Sequence, residues 1–135
     1  MDKIDFATFC QYAETTSTVT INSVGNYNYK KINGTEITIN VKTGEKYLLI
    51  GNACVRPTTN NEVYLLAMAN GTTIGSSVLN ANVAAYGYTN LTRSIEYEAT
   101  ADGGVAFSVY TGTGGNANTN VDVLKGASLT IIRIA

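Results

Sequence analysis

The chain has 135 residues, of which 44% are hydrophobic and 14% are charged, and its net charge is −1. This length suits one domain with its own core, and the hydrophobic content indicates a globular chain and not a disordered one. The nearly neutral charge gives no indication of binding to nucleic acid or to an anionic membrane, and no apolar run has the length of a membrane helix.

The N-terminal segment gives little strand signal. It begins Met-Asp-Lys-Ile-Asp-Phe, without a basic stretch followed by an apolar one, so we expect no signal peptide and synthesis in the cytoplasm. Residues 1–15 mix aromatic and polar side chains without alternation. We interpret them as a lead-in from a stalk or an arm that packs on the body, and residues 16–135 as a single domain.

Nine later stretches carry strand signals, from alternation of apolar and polar residues or from enrichment in β-branched and aromatic ones. A tenth, Val121–Leu124, is a candidate for a short extra strand. No stretch shows a helical period, so the sequence predicts an antiparallel sandwich or barrel of about nine strands. The nine are Thr16–Ile21, Asn28–Ile32, Glu36–Val41, Lys46–Pro57, Glu62–Ala69, Thr72–Leu79, Leu91–Thr100, Val105–Tyr110 and Ala127–Ala135.

Two Asn-Gly pairs predict tight two-residue hairpin turns, because both residues tolerate positive φ. Asn33-Gly34 would join the second and third strands. Asn70-Gly71 would place Ala67 opposite Ile74 and Val63 opposite Val78, pairs that match in character.

A third hairpin is predicted around Asp102-Gly103. A two-residue turn there would set Tyr97 against Ser108. A three-residue loop that begins at Ala101 would set Tyr97 against Phe107 and Ile95 against Val109, so we favour the three-residue loop.

The strand Lys46–Pro57 is apolar on both of its alternating faces. Tyr47 and Leu49 lie on one face, and Leu48 and Ile50 lie on the other. A buried helix is the alternative, but Gly51 and the flanking Gly44 and Pro57 favour a strand. A strand of this kind needs cover on both sides, and without helices another copy of the chain is the available cover.

The last strand, Ala127–Ala135, has the same property. Leu129 and Ile131 face one way, and Ile132 and Ile134 face the other. Because an exposed apolar edge strand promotes aggregation, we expect this strand in the middle of a sheet.

Residue types exclude most catalytic chemistry. The chain has no histidine, which is the commonest general base and the commonest nitrogen ligand for zinc. Glu96 and Glu98 form the only close acid pair, and on a strand they share one solvated face. Cys10 and Cys54 are too few and too far apart for a disulfide framework, so reduced thiols are favoured over a bridge. We therefore expect no enzymatic activity, no metal site and no cofactor.

Four features follow one another in the chain. A glycine turn precedes a tyrosine-containing strand; two strands flank an Asn-Gly turn; a hairpin has Ala, Asp and Gly in its turn; and a strand ends the chain. In this sequence they are Gly44–Ile50, Val63–Ile74, Ile95–Val109 and Ser128–Ile134. This order, over roughly residues 16–135, resembles the trimeric jelly roll shared by tumour necrosis factor and the globular complement heads. It is most similar to the shortened versions that end bacteriophage tail fibres and other virion appendages.

The resemblance implies a homotrimer, because in that family the first, central and last strands share the sheet that faces the trimer axis. Our candidate interface residues are Tyr47, Leu49, Ile132 and Ile134, and alternation alone does not say which face of each strand meets the axis.

Ligand contacts are expected in loops at one end of the sandwich. The candidate loops are Thr58–Asn61, Asn80–Asn90 and Thr111–Asn120, the last rich in Gly, Asn and Thr. The candidate contact residues are Tyr86, Tyr88, Asn116 and Asn118, although the two tyrosines have packing on the body as an alternative role.

Together these features predict a non-enzymatic trimeric head domain of a phage tail fibre or similar appendage, at the virion or another extracellular surface. It would attach to a host surface glycan or protein. The alternative is a secreted or surface-displayed bacterial lectin-like module that binds carbohydrate.

Overall fold

The computed structural model describes residues 9–135, and every regular element in that range is a β-strand. No helix in this range is long and apolar enough to cross a membrane. Twelve strands are present: β1 (Cys10–Glu14), β2 (Val19–Ile21), β3 (Lys30–Lys31), β4 (Ile37–Val41), β5 (Lys46–Pro57), β6 (Asn61–Ala69), β7 (Thr72–Thr73), β8 (Val78–Val83), β9 (Thr89–Glu98), β10 (Gly103–Thr113), β11 (Val121–Val123) and β12 (Ser128–Arg133).

The count exceeds the predicted nine for three reasons. β1 lies in the segment that was predicted as a lead-in or arm, and β11 is the short extra strand at Val121–Val123. The predicted strand Thr72–Leu79 is divided into β7 and β8, with Gly75 between them at φ 62°. The division of the chain into an arm of residues 1–15 and a domain of residues 16–135 stays a prediction, and residues 1–8 lie outside the described range.

The first sheet is built on β5, which spans the predicted range Lys46–Pro57. Its neighbours are β9 on one side and β12 and β11 on the other, and β1 and β2 lie further out. In this register Leu49 lies opposite Ile131 of β12 and Ile95 of β9. The last strand therefore lies between β1 and β5, as its two apolar faces predicted.

The second sheet is built on β10. It pairs with β6 on one side and with β3 and β4 on the other, and β7 and β8 pair with β6. All pairings in both sheets are antiparallel. The two sheets pack face to face as a sandwich.

The core lies between the two sheets. Residues of β5 alternate between buried and half-buried along its whole length after Lys46. Its inner face packs against the second sheet, where Val109 lies so close to Gly51 that an added Cβ would be 3.2 Å from Cγ2 of Val109. The largest fully buried side chains are Tyr47, Phe107, Ile32, Leu49, Leu65, Leu129 and Ile131.

The placement of Tyr47 and Leu49 at the trimer interface was wrong. These side chains are 1% and 0% exposed and belong to the interior of the sandwich, so they present no surface to a second chain. The outward residues of the same strand are Leu48 and Ile50, which are half-buried. Alternation identified two faces, but only the packing of the second sheet decides which face is inside.

The predicted hairpin between β9 and β10 was also wrong. β9 pairs with β5, and β10 pairs with β4 and β6, so the short connection around Asp102 crosses from one sheet to the other. Tyr97 and Phe107 do meet, with ring centroids 5.0 Å apart in an edge-to-face arrangement, but they meet across the interior. Ile95 lies opposite Leu49 and not Val109.

The Asn33-Gly34 turn does not form a hairpin. Thr35 N donates to Ile32 O (3.3 Å), and only Gly34 has a positive φ, of 100°. β3 and β4 do not pair with each other, because both pair with the same edge of β10. The dipeptide therefore separates two strands that run in the same direction along one edge of β10, and it does not reverse the chain.

The Asn70-Gly71 turn is confirmed, with Ala69 opposite Thr72 and an Ile74 N to Ala67 O bond of 2.9 Å. Beyond the break at Gly75 the register shifts, so Val78 lies opposite Leu65 and not Val63. Residues 111–120 are a loop only in part. Thr111 and Thr113 belong to β10 and are fully buried.

The inner face of β5 should carry much of the stability. We expect Leu49→Ala to lower the free energy of unfolding by about 2–5 kcal/mol, because it leaves a cavity at a fully buried site. Leu79→Ala, at a side chain that is 46% exposed, is the matched control and should change it by less than about 0.5 kcal/mol. Denaturant titrations check both; similar losses in the two variants would contradict the assignment of the core.

Candidate functional site

Several loops come together at the end of the sandwich where β5 terminates. Thr58 N donates to Asn120 O (3.0 Å), Ala85 N donates to Asn60 Oδ1 (2.7 Å), and Tyr86 N donates to Pro57 O (2.7 Å). These bonds join the three segments that the sequence proposed as ligand loops. The three segments therefore lie together at one end of the fold. The predicted loop Asn80–Asn90 is shorter than expected, because β8 extends to Val83 and β9 begins at Thr89.

Arg56 lies at the centre of an aromatic cluster at this end. Its guanidinium carbon is 5.8 Å from the ring centroid of Tyr86 and 5.0 Å from that of Tyr88. The two rings remain 61% and 51% exposed. The tyrosines therefore both pack on the body, through Arg56, and present ring surface to solvent. We call Arg56, Tyr86, Tyr88, Asp122 and Thr20 the Arg56 cluster.

The β-sheet register builds this cluster. Arg56 lies opposite Asp122 of β11, and Asp122 lies opposite Thr20 of β2, so the three side chains share the outer face of the first sheet. Arg56 Nε donates to Asp122 Oδ2 (2.7 Å), and Thr20 Oγ1 donates to Asp122 Oδ1 (2.6 Å). The carboxylate thus orients the guanidinium.

These contacts shift the ionisation of both partners. The hydrogen bond to Asp122 raises the pKa of Arg56. The hydrogen bond from Thr20, together with Arg56, lowers the pKa of Asp122 although partial burial opposes the shift. Both groups are therefore charged at neutral pH.

Arg56 keeps donor capacity for a ligand. Among residues 9–135 its Nη1 and Nη2 atoms donate no hydrogen bond, and its side chain is 34% exposed. A guanidinium held in place by Nε presents these outer N–H groups as a planar edge, which suits hydroxyl, carboxylate or carbonyl oxygens. Flanking tyrosine faces suit the flat apolar face of a ring. The arrangement can therefore bind a ligand through hydrogen bonds and ring contacts.

The loop that carries Tyr86 adopts an uncommon backbone. Tyr86 has φ 60°, and Gly87 N donates to Ala84 O (2.8 Å) in a tight turn. A bulky residue in the left-handed region costs of order 1–3 kcal/mol, so the surrounding bonds must hold it there. The consequence is that the ring projects outward beside Arg56.

Asn116 and Asn118, the other candidate contacts, are exposed in the loop between β10 and β11. Asn116 has φ 71°, and its side chain accepts a hydrogen bond from Asn118 N (3.3 Å). Both side chains lie at the same end of the fold, but no hydrogen bond joins either to the Arg56 cluster in the described range. Their assignment as ligand contacts stays a prediction.

A shallow cavity adjoins these loops, with a volume of about 380 Å³. It is connected to the Tyr86 loop through the Asn60–Ala85 bond. In residues 9–135 no group of three or more acidic, cysteine or histidine side chains is close enough to hold a metal ion. The cavity is lined by Asn60, Asn61, Ala81, Asn82, Val83 and Ala84.

Sequence reasoning missed Arg56, Asp122 and Thr20. One signal was available for Arg56, which is the only charged residue inside an otherwise largely apolar strand after Lys46. No signal was available for Asp122 or Thr20, because their approach to Arg56 depends on the pairing of β2, β11 and β5.

The other end of the same outer face is apolar. Ile132 lies opposite Leu48, and Ile50 and Ile134 lie on the same side of the sheet. All four side chains are half-buried in the single chain. We call these four residues the outer apolar patch. Two of them, Ile132 and Ile134, belong to the predicted trimer interface; the other two, Leu48 and Ile50, take the places of Tyr47 and Leu49 in it.

No protein-family model matches the sequence, and no curated protein matches it significantly. Solved structures match it in fold. Murine APRIL aligns with a TM-score of 0.57 at 10% identity, over 93% of this chain and 100% of that one. Eiger TNF from S. frugiperda aligns with a TM-score of 0.55 at 7% identity, over 93% of each chain. The C-terminal domain of EclA, described as a sugar-binding protein, aligns with a TM-score of 0.45 at 14% identity, over 87% of this chain and 78% of that one.

The first two alignments, together with the strand order, show that the chain has an antiparallel jelly-roll fold like that of tumour necrosis factor. The predicted fold class is therefore confirmed. At these identities the likeness concerns fold alone.

Acid should weaken the Arg56 cluster. The pKa of Asp122 is lower in the folded chain than in the unfolded one, so its charge stabilises the fold above the ordinary aspartate value of about 3.9, and this contribution is lost as pH falls through the folded pKa. We therefore expect Asp122→Asn to melt several degrees below wild type at neutral pH, and the difference to shrink below about pH 4.

Thermal melts of both proteins between about pH 7 and about pH 2 measure this difference. Leu79→Ala, at an exposed residue without a titratable group, is the control: its melting difference from wild type should be small and should not change with pH. A difference for Asp122→Asn that is constant over the whole range would contradict the coupling.

Proposed function

We propose that this chain is a non-enzymatic, homotrimeric head domain of a phage tail fibre or similar appendage at an extracellular surface. It attaches the appendage to a glycan or protein on a host cell. The observation that carries the proposal is the Arg56 cluster, in which two half-exposed tyrosine rings flank an oriented guanidinium at the loop end of the fold.

Trimer formation is supported by the outer apolar patch. The four residues of this patch are half-buried on an open sheet face. Covering them completes a burial that is worth about 1.5–3 kcal/mol per side chain relative to full exposure. Closed symmetry covers such a patch without leaving a sticky face. The resemblance to trimeric jelly rolls, in which this sheet faces the axis, favours three copies over two.

Ligand attachment is supported by the chemistry at the other end of the same face. The tyrosine rings offer apolar surface for the face of a sugar ring or a side chain, and the outer N–H groups of Arg56 offer donors beside it. The asparagines that line the nearby cavity, Asn60, Asn61 and Asn82, add further donors and acceptors. A ligand with alternating apolar faces and hydroxyl groups fits this combination.

A lectin-like module displayed or secreted by a bacterium is the second candidate. The same tyrosine–arginine cluster supports it, since sugar binding needs no appendage. The two candidates differ in whether the isolated domain binds saccharide by itself and in whether assembly is needed for attachment.

The trimer has a direct test. We expect wild type to have three times the chain mass of 14.3 kDa by light scattering, and Leu48→Asp or Ile132→Asp to abolish assembly, because each places a charge in the outer apolar patch. Leu79→Asp, at an exposed residue of the second sheet, is the control and should leave the mass unchanged. A stable, soluble wild-type mass of 14.3 kDa would refute the trimer.

Binding has a separate test. On a glycan array and on host cells, the double variant Tyr86→Ala/Tyr88→Ala should bind at least about tenfold more weakly than wild type, because both stacking surfaces are lost. Arg56→Lys should also weaken binding, since lysine keeps the charge but not the planar fork. Leu79→Ala should bind as wild type. Unchanged attachment by the folded double variant would remove these tyrosines from the site.

A further inference from the structure

A second aromatic cluster lies on the outer face of the opposite sheet. The ring centroids of Tyr27, Tyr29 and Tyr64 are 5.6–6.4 Å apart in pairs. Tyr64 is 8% exposed and lies beneath the other two rings, whereas Tyr27 is 54% exposed and presents its ring to solvent. The rings fill the space between one another, so a ligand can contact only the outer surface of the cluster.

Glu62 adjoins these rings without a cation to neutralise it. It is half-buried, and its Oε1 accepts a hydrogen bond of 2.9 Å from the Tyr27 hydroxyl. In residues 9–135 no lysine or arginine lies within ion-pair distance of it, and its other neighbour is the Tyr64 hydroxyl. A carboxylate beside aromatic faces creates a region of negative potential.

The pKa values of the neighbouring tyrosines are raised mainly by burial and in part by this carboxylate. Burial, followed by the Glu62 carboxylate, raises the pKa of Tyr64. Burial, with the charges of Tyr27 and Glu62, also raises the pKa of Tyr29. The part of these shifts that comes from Glu62 has the sign expected of a negative potential, which favours a cation.

The backbone holds this arrangement in place. Tyr27 has φ 60°, and Asn26 has φ 52°, so two consecutive side-chain-bearing residues occupy the left-handed region. A Cβ at Gly25 would overlap the Asn116 carbonyl oxygen, and one at Gly114 would overlap the Glu62 carboxylate. Tyr27 N also donates to Thr113 O (2.9 Å). The Tyr27 ring is therefore held beside Glu62.

We propose that Tyr27 and Glu62, supported by Tyr29 and Tyr64, form a second ligand site, for an amino sugar whose nitrogen is a free ammonium group. The exposed Tyr27 ring stacks on the apolar face of the pyranose, and the ammonium contacts the Glu62 carboxylate and the aromatic faces. This site lies on the opposite sheet from the Arg56 cluster and does not depend on the function proposed for that cluster.

The test uses a matched pair of sugars. Glucosamine and N-acetylglucosamine share the same ring, but only glucosamine carries an ammonium group. Chemical-shift titrations of the full-length protein at mildly acidic pH, where the amine is protonated, should show saturable millimolar binding of glucosamine and about tenfold weaker binding of N-acetylglucosamine. Nα-acetyl-lysine amide, an ammonium without a sugar ring, should also bind more weakly.

Variants assign the binding to this site. Glu62→Gln removes the charge but keeps an oxygen that can accept the hydrogen bond from the Tyr27 hydroxyl. This variant should bind glucosamine about tenfold more weakly than wild type. Tyr27→Ala should weaken it similarly, whereas Tyr27→Phe, which keeps the ring, should bind nearly as wild type. Tyr86→Ala/Tyr88→Ala should leave it unchanged, so loss of one site is distinguishable from loss of the other.

Four results would overturn the proposal: no saturable binding of glucosamine, equal binding of the two sugars, equal binding of the lysine derivative, or unchanged binding by folded Glu62→Gln. If Glu62→Gln does not fold, Tyr27→Ala decides the outcome by the same criterion.

Discussion

The structure depends on the inner face of β5. This strand hydrogen-bonds to β9, β11 and β12, and its inward residues Tyr47, Leu49 and Val55 are 1%, 0% and 0% exposed. Because successive residues of a strand face opposite ways, burying this face in the sandwich commits the other face to the surface. The positions of the outer apolar patch and of Arg56 on the outer face follow from the burial of the inner face.

The connection between β5 and β6 brings two opposite charges to one end of the fold. Arg56 lies on the outer face of the first sheet, and Glu62 lies on the outer face of the second. Each charge adjoins an exposed tyrosine, Tyr86 or Tyr27, held at φ 60°. Backbone hydrogen bonds between the loops and the strands hold both clusters in place, including Tyr86 N to Pro57 O and Tyr27 N to Thr113 O.

Local sequence signals predicted the parts that depend on neighbours along the chain. The bounds of β5 were correct, because turn residues at Gly44 and Pro57 enclose a continuous apolar run. The Asn70-Gly71 turn was correct because both residues adopt the positive φ that a two-residue hairpin turn requires. Tyr86 and Tyr88 were identified from their loop, but their partner Arg56 was not, since a lone charge in a strand says nothing about which side chains it meets.

The sequence by itself determined the fold class, the central strand and the two-sided apolar character of β5 and β12, because alternation and turn chemistry are local properties. Only the tertiary structure decided which face of β5 is inside, that β9 pairs with β5 and not with β10, and that Thr20, Asp122 and Arg56 meet. Those outcomes depend on contacts between residues far apart in the chain. A short loop can close a hairpin or cross a sandwich with the same residues, so the packing of the two sheets, and not the turn, decides between them.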